Sequence, residues 1–249
     1  FSHSIRCYMS PKISDIILLG TDRIHLFDTP LLMCRNQGLS MEQRAAKRVL
    51  DIIVSGLGII VSSPIMLIIA IAVKAYDGGP VFYLQDRLTY QGKEFRIRKF
   101  RSMCVDSEKN GARLASKHDS RITPVGHVLR NLHLDELPQL FNVFMGDMSL
   151  VGPRPERDVI MQEYEQEIPE FHYRLKVKAG LTGYAQVYGK YNTTPYDKLK
   201  LDLFYIENYS FLLDIKLLFM TVKIFFQKEV SEGVDDNQKN ALKDSEDKK

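Results

Sequence analysis

Asp135 and Glu136 are adjacent carboxylates inside the run NLHLDELPQLFNVFMGDMSLVGPRPE, residues 131–156. Pro138 follows closely, and proline is tolerated in the first turn of a helix but costs about 3 kcal/mol deeper inside. The pair is therefore expected at or near a helix N-terminus. There the helix dipole and free N–H groups favour negative charge, so both groups should be ionised at neutral pH. An ionised carboxylate can attack phosphorus, and a second can hold a divalent cation. An isolated acidic pair is more often only a cap and dipole partner. Here Lys99, Arg101, Arg130 and Arg154 flank it in sequence, and an apolar segment long enough to enter a bilayer precedes it.

The cations have their own pattern. Residues 87–101 hold six basic side chains (Arg87, Lys93, Arg96, Arg98, Lys99, Arg101) against one acid, Glu94. The stretch VFYLQDRL, TYQGK, EFRIRKF predicts a β-hairpin over residues 80–100. In its second strand Phe95, Ile97 and Lys99 share one face and Arg96 and Arg98 the other. Lys99 thus points with the apolar residues, which is unusual for a solvated lysine. Short helices are expected over 122–130 and 135–145, and further helices over 155–167 and 197–208. GDMSLVGPRPE reads as a loop and KAGLTGYAQVYG as loop and strand.

Residues 52–73, IIVSGLGIIVSSPIMLIIAIAV, run for 22 positions without a charge, and a membrane span needs roughly 20. Ser62-Ser63-Pro64 lies at the centre, where proline removes a backbone bond and serine hydroxyls can re-satisfy freed groups. Arg44, Lys47 and Arg48 precede the segment, and Lys74, Arg87 and Lys93 follow it. Positive charge on both flanks places both ends on the cytoplasmic face. A helix–break–helix hairpin that enters and returns satisfies the length, the break at Ser63-Pro64 and the flanks together. A second apolar stretch, FLLDIKLLFMTVKIFFQ, fits either a helix lying on the membrane surface or an amphipathic helix packed on the protein's own core.

The 249 residues carry a net charge of +3, room for one full domain plus accessories. The tail beyond Lys228 holds seven acids and four lysines with little to bury, and disorder is expected for 229–249. Cys7, Cys34 and Cys104 are scattered without metal-binding spacing and read as free thiols in a reducing compartment. The chain starts at Phe1 without a signal peptide, so a piece of a longer protein is expected. In the leader, ISDIILLGT and HLFDTPLLMC read as strands of an upstream domain.

Several segments together resemble the bacterial sugar transferases of the monotopic phosphoglycosyl transferase superfamily, in particular the C-terminal catalytic part of long members that act on undecaprenyl phosphate. These are KRVLDIIVSGLGIIVSSP, GGPVFYLQDRL with GK and FRIRKFRSM, DSRITPVGHVLRNLHLDELPQLFNVFMGDMSLVGPRPE, and KAGLTGYAQVYG. The resemblance implies that Asp135 attacks the β-phosphate of a UDP-sugar, that UMP leaves, and that a polyprenyl phosphate then takes the phosphosugar from the aspartate. It implies that Glu136 is the Mg²⁺ ligand. It further implies that Lys99, Arg101, Ser102 and Arg130 bind phosphate, that Pro153-Arg154-Pro155 holds the uridine end, and that Ser63-Pro64 breaks the re-entrant helix. His133 stands where serine commonly precedes Leu-Asp-Glu, and His127 where arginine is common.

The expected fold is α+β: a leader (1–46), a re-entrant membrane helix hairpin (47–76), and a small catalytic domain (77–228) with a β-hairpin and several short and amphipathic helices. The implied partners are a UDP-sugar, polyprenyl (undecaprenyl) phosphate and the inner membrane at its cytoplasmic face. No nucleic acid is expected, and a homodimer is compatible with the sequence. Two other readings compete: a basic, membrane-anchored module binding anionic lipid or nucleic acid through 87–101, and a metal-dependent phosphohydrolase using the same carboxylates. The first gains nothing from acids inside its basic site, and the second needs no long apolar segment.

Overall fold

A computed structural model describes residues 10–19, 21–26, 29–33, 39–105, 119–189 and 193–225. The tail expected to be disordered, Cys7 and Cys34 lie outside the described residues. Cys104 is a free, exposed thiol.

Helix α1 (Ile13–Leu19) precedes a hairpin of β1 (Asp22–Leu26) and β2 (Thr29–Met33). The first of the two leader strands read from the sequence is thus a helix. Its β-branched residues suggested a strand, but Ile13, Ile16 and Ile17 recur at helical spacing, and Ile13 and Ile16 are buried in the main core.

Helix α2 (Met41–Asp77) dominates the molecule: 37 residues, about 55 Å at 1.5 Å per residue. It starts on a capping box. The Ser40 hydroxyl accepts from the Gln43 N–H, and the Gln43 side chain accepts from the Ser40 N–H. Gly78, left-handed at φ 70°, ends it. The break expected at Ser63-Pro64 is not a break in secondary structure: the backbone stays helical throughout. The reason is local. Pro64 has no N–H to offer the Ile60 carbonyl, and the Ser63 hydroxyl donates to that carbonyl instead at 2.8 Å. The Ser62 hydroxyl likewise donates to Gly58 O at 2.6 Å.

Strands β3 (Phe82–Leu88) and β4 (Glu94–Phe100) form the expected antiparallel hairpin, with Lys99 opposite Tyr83. Phe95 and Ile97 are buried on the face that Lys99 shares. Next come α3 (Pro124–Asn131), a 3₁₀ turn over Leu134–Glu136, and α4 (Gln139–Met145). Strand β5 (Ser149–Val151) pairs in parallel with β6 (Gly180–Thr182). Between them lie α5 (Asp158–Glu167) and a 3₁₀ stretch, Pro169–Lys176. Helices α6 (Tyr184–Tyr188), α7 (Pro195–Glu207) and α8 (Phe211–Phe225) complete the described fold. Helix α6 was hidden in what the sequence presented as loop and strand.

Two apolar clusters hold these elements. The larger joins α1, β4, α4, β5, α7 and α8 around Val143, Met148, Leu199 and Leu217. The smaller joins Met66, Ile69 and Val73 of α2 to Phe100 and Leu129, with Leu134 and Leu137 packed against it. Helix α8 uses both of the faces its sequence allowed. Asp214 and Leu217 are fully buried, whereas Leu212, Phe219 and Val222 are exposed.

Candidate active site

The dyad does not open α4 itself. It occupies the 3₁₀ turn just before it, and Pro138 sits at the helix boundary. Leu134 and Leu137 bracket Asp135-Glu136 and pack, partly buried, against the cluster that joins α2 to Phe100 and Leu129. His133, immediately upstream, is left-handed at φ 53°. Histidine tolerates that region better than most residues, at a cost on the order of 1 kcal/mol. His127 is exposed on α3.

Glu136 Oε1 lies 2.5 Å from Lys99 Nζ and 3.6 Å from an Arg154 Nη. Burial works to raise its pKa, but Lys99 and Arg154 outweigh it and hold the carboxyl at about 2. Asp135 differs. Its side chain makes no hydrogen bond or ion pair with the described residues. Burial raises its pKa from the ordinary aspartate value, with Lys99 opposing and Glu136 reinforcing the rise. The flanking charges are thus shared unequally between the two carboxylates.

Lys99 reaches the dyad because it stands on the inward face of β4. Arg130 comes from α3 and donates from Nε to the buried Ser102 hydroxyl at 2.9 Å. Asp135 acts on its charge across the site. Gly126 permits this approach, since a Cβ there would lie 1.9 Å from Ser102 O. Arg101 is placed elsewhere. Its two Nη atoms bind the Asp77 carboxylate at the end of α2, so its guanidinium fastens the hairpin to the apolar helix and is not directed at the dyad.

Pro153-Arg154-Pro155 is placed by β5 and β6. Gly180 N donates to Pro153 O at 2.9 Å, and a Cβ on Gly180 would fall 2.1 Å from Gly152 N. Two arginines hold the loop, Arg87 half-buried and Arg174 buried. Arg87 donates to Pro155 O at 3.1 Å and Arg174 to Arg154 O at 3.1 Å. Arg174 also pairs with Glu156 at 3.5 Å and Asp202 at 2.8 Å. Burial lifts Asp202 to about 6 against the pull of Arg174. Arg87, Lys99, Glu136, Gln139 and Arg154 are among the residues lining a small, partly open cleft.

Thus the structure brings Asp135, Glu136, Lys99, Arg130 and Arg154 together. Ser102 supports Arg130, Pro153 and Pro155 frame Arg154, and Ser63 and Pro64 stay inside α2. The sequence reading missed Asp77, Gln139, Asn142, Glu156, Arg174 and Asp202. Only Gln139 and Asn142 carried a usable signal, polar residues at successive helical steps beyond Glu136.

Among the described residues no cluster of three or more His, Cys, Asp or Glu could hold a metal by itself. The donor set still fits Mg²⁺, which is commonly held by one or two carboxylates and completed by substrate phosphates and water.

Acids are thus set among cations beside a long apolar helix, and sequence comparison gives the family. The chain belongs to the bacterial sugar transferase family, whose sequence model matches residues 42–228. It is 44% identical over 180 residues to UDP-N-acetylgalactosamine-undecaprenyl-phosphate N-acetylgalactosaminephosphotransferase of Aeromonas hydrophila, covering 71% of this chain and 43% of that protein. It is 43% identical over 208 residues to UDP-glucose:undecaprenyl-phosphate glucose-1-phosphate transferase of Klebsiella pneumoniae, covering 82% and 43%. Undecaprenyl-phosphate galactose phosphotransferase of Salmonella typhimurium is 36% identical over 237 residues, covering 88% and 49%. The chain thus spans about half the length, or less, of these relatives.

Proposed function

We propose that this chain transfers a sugar-1-phosphate from a UDP-sugar to undecaprenyl phosphate, releasing UMP, as the first membrane step of polysaccharide or glycoconjugate assembly. The observation that carries this reading is the unequal dyad: an unpartnered carboxylate, Asp135, beside one, Glu136, held by Lys99 and Arg154. An Asp135 Oδ attacks the β-phosphorus of the UDP-sugar, the bond from that phosphorus to the bridging oxygen breaks, and UMP leaves with the electron pair. A phosphate oxygen of the lipid then attacks the same phosphorus, and the Asp135 carboxylate is regenerated.

Lys99, Arg130 and Arg154 offset the charge of the diphosphate, because phosphoryl transfer depends mostly on positioning and charge stabilisation. Glu136, with Asp135, would hold Mg²⁺, which supplies further neutralisation of phosphate oxygens when bound. Residues 77–228 form the catalytic part and 47–76 the re-entrant membrane element, on the cytoplasmic face of the bacterial inner membrane.

The test is UMP release and trapping. The full chain in detergent, with Mg²⁺, is offered a panel of UDP-sugars without lipid, and the protein is analysed by mass spectrometry. The expected result is UMP release with a phosphosugar on Asp135, abolished in Asp135→Asn and by EDTA. Label on another residue, or full activity in Asp135→Asn, sinks the assignment.

A further inference from the structure

Gln139 is the first residue of α4, three positions after Glu136 and four after Asp135, so all three lie on one side of the turn and helix. The residue as a whole is only 3% exposed, its side-chain amide has no hydrogen-bond partner among the described residues, and that amide is not one of the fully enclosed polar atoms, so it is the end of the side chain that stays open. The other buried amide of the same helix is fully engaged: Asn142 bonds to Arg98 N, Arg96 O and Asp147. The small part of Gln139 that remains accessible borders the cleft, together with Arg87, Lys99, Glu136, Arg154 and Leu181.

The chemistry of the cleft selects what Gln139 meets. Three cations, Arg87, Lys99 and Arg154, already answer anionic oxygens. A neutral amide adds a group that both donates and accepts. A hydroxyl, which does the same, is its natural complement. We propose that Gln139 is a substrate-contacting residue whose amide hydrogen-bonds a hydroxyl of the nucleotide sugar, on the sugar or on the ribose. This rests on the function proposed above.

A site built to hydrogen-bond a hydroxyl discriminates strongly against the analogue that lacks it, because its buried polar group is then left unpaired. The experiment follows from this. UMP release by the full chain with undecaprenyl phosphate is measured for wild type and Gln139→Leu, using UDP-sugars that each lack one sugar hydroxyl or one ribose hydroxyl. Gln139→Leu should lower kcat/KM for the intact substrate at least tenfold while leaving Tm unchanged or raised. For one analogue wild type and variant should be equally slow. If that analogue is a deoxysugar, the contact is on the sugar; if it is a deoxyribose, the contact is on the nucleoside. Gln139→Glu, which can accept from a hydroxyl, should recover part of the loss and provides a second variant should Gln139→Leu fold poorly. The same loss factor on every analogue, or no loss at all, overturns the inference while UMP release by wild type leaves the proposed function standing. A wild-type protein that releases UMP from no UDP-sugar overturns both.

Discussion

Two carboxylates one bond apart in sequence face different fields. For Glu136 the ion pairs with Lys99 and Arg154 outweigh burial, whereas for Asp135 burial and the Glu136 charge outweigh Lys99 and Arg130. Separated acidities on paired acids are how one site obtains two roles. The same physics predicts how stability responds to pH. Glu136 is depressed to about 2 in the folded protein from an ordinary value of 4.5. Its contribution is therefore complete above about 4.5 and is lost as pH falls toward 2. Asp202 runs the other way, raised from 3.8 to about 6. Between those values the folded protein binds more protons than the unfolded chain, so this group's contribution falls as pH rises through the window. Melting temperatures of wild type and Asp202→Asn, measured from pH 3.5 to 7, should diverge: as pH rises from 4 to 6, wild type loses ground relative to the variant. Parallel curves would show that Asp202 does not titrate there. Glu136→Gln should differ from wild type in the opposite sense, with the wild-type advantage growing from pH 3 to 5.

At the scale of elements, the dyad is positioned by what grips α4. Asn142 is fully buried and ties α4 to β4 by accepting from Arg98 N at 3.0 Å and donating to Arg96 O at 2.8 Å. At the far end of α4, Arg48 of α2 donates to the Val143 and Phe144 carbonyls, both at 2.8 Å. Asn142→Ala leaves a strand N–H and a strand carbonyl unpaired in the core. Urea unfolding should show a loss of about 2–4 kcal/mol, with UMP release falling alongside it. A change below 0.5 kcal/mol would mean that other contacts fix α4. Asn142 also shows where reading the sequence stops. The β3–β4 hairpin was legible because alternation has a period of two, and α7 because its apolar residues follow a helical period. Lys99 stood out because it broke that alternation, and the structure pairs it with Glu136. Arg101 was not: its charge suited phosphate, but its partner Asp77 stands 24 positions away across the end of α2, and no local pattern carries that pairing. The α1 segment failed for a related reason, since β-branched residues favour strands until a tertiary surface such as α7 buries them at helical spacing.

The whole molecule turns on α2. Residues Lys47, Arg48 and Asp51 bind the domain through Asp214, the end of α4 and β5. Met66, Ile69, Val73 and Asp77 bind the same domain through Phe100, Leu129 and Arg101. Between and around these contacts Ile53, Leu57, Ile60, Val61, Leu67, Ile68 and Ile71 are exposed, an apolar face of the kind that marks a membrane contact. A helix gripped by one domain near both ends cannot leave those ends on opposite sides of a bilayer without tearing one grip away. We therefore expect both ends on one face. Single cysteines at Met41 and Tyr76, exposed positions outside both grips, placed in a background without Cys7, Cys34 and Cys104, should both resist a membrane-impermeant thiol reagent in spheroplasts. Both should label once the membrane is opened. Replacing Ser63-Pro64 with Leu-Leu restores the missing N–H at position 64 and removes the hydroxyl that now serves Ile60 O, favouring a straight span. If the straight span wins, one grip must be lost: the two positions then label from opposite sides and activity falls. If the unaltered protein already shows its two cysteines on opposite sides, the one-face arrangement is wrong, and with it the placement of the dyad beside cytoplasmic UDP-sugar.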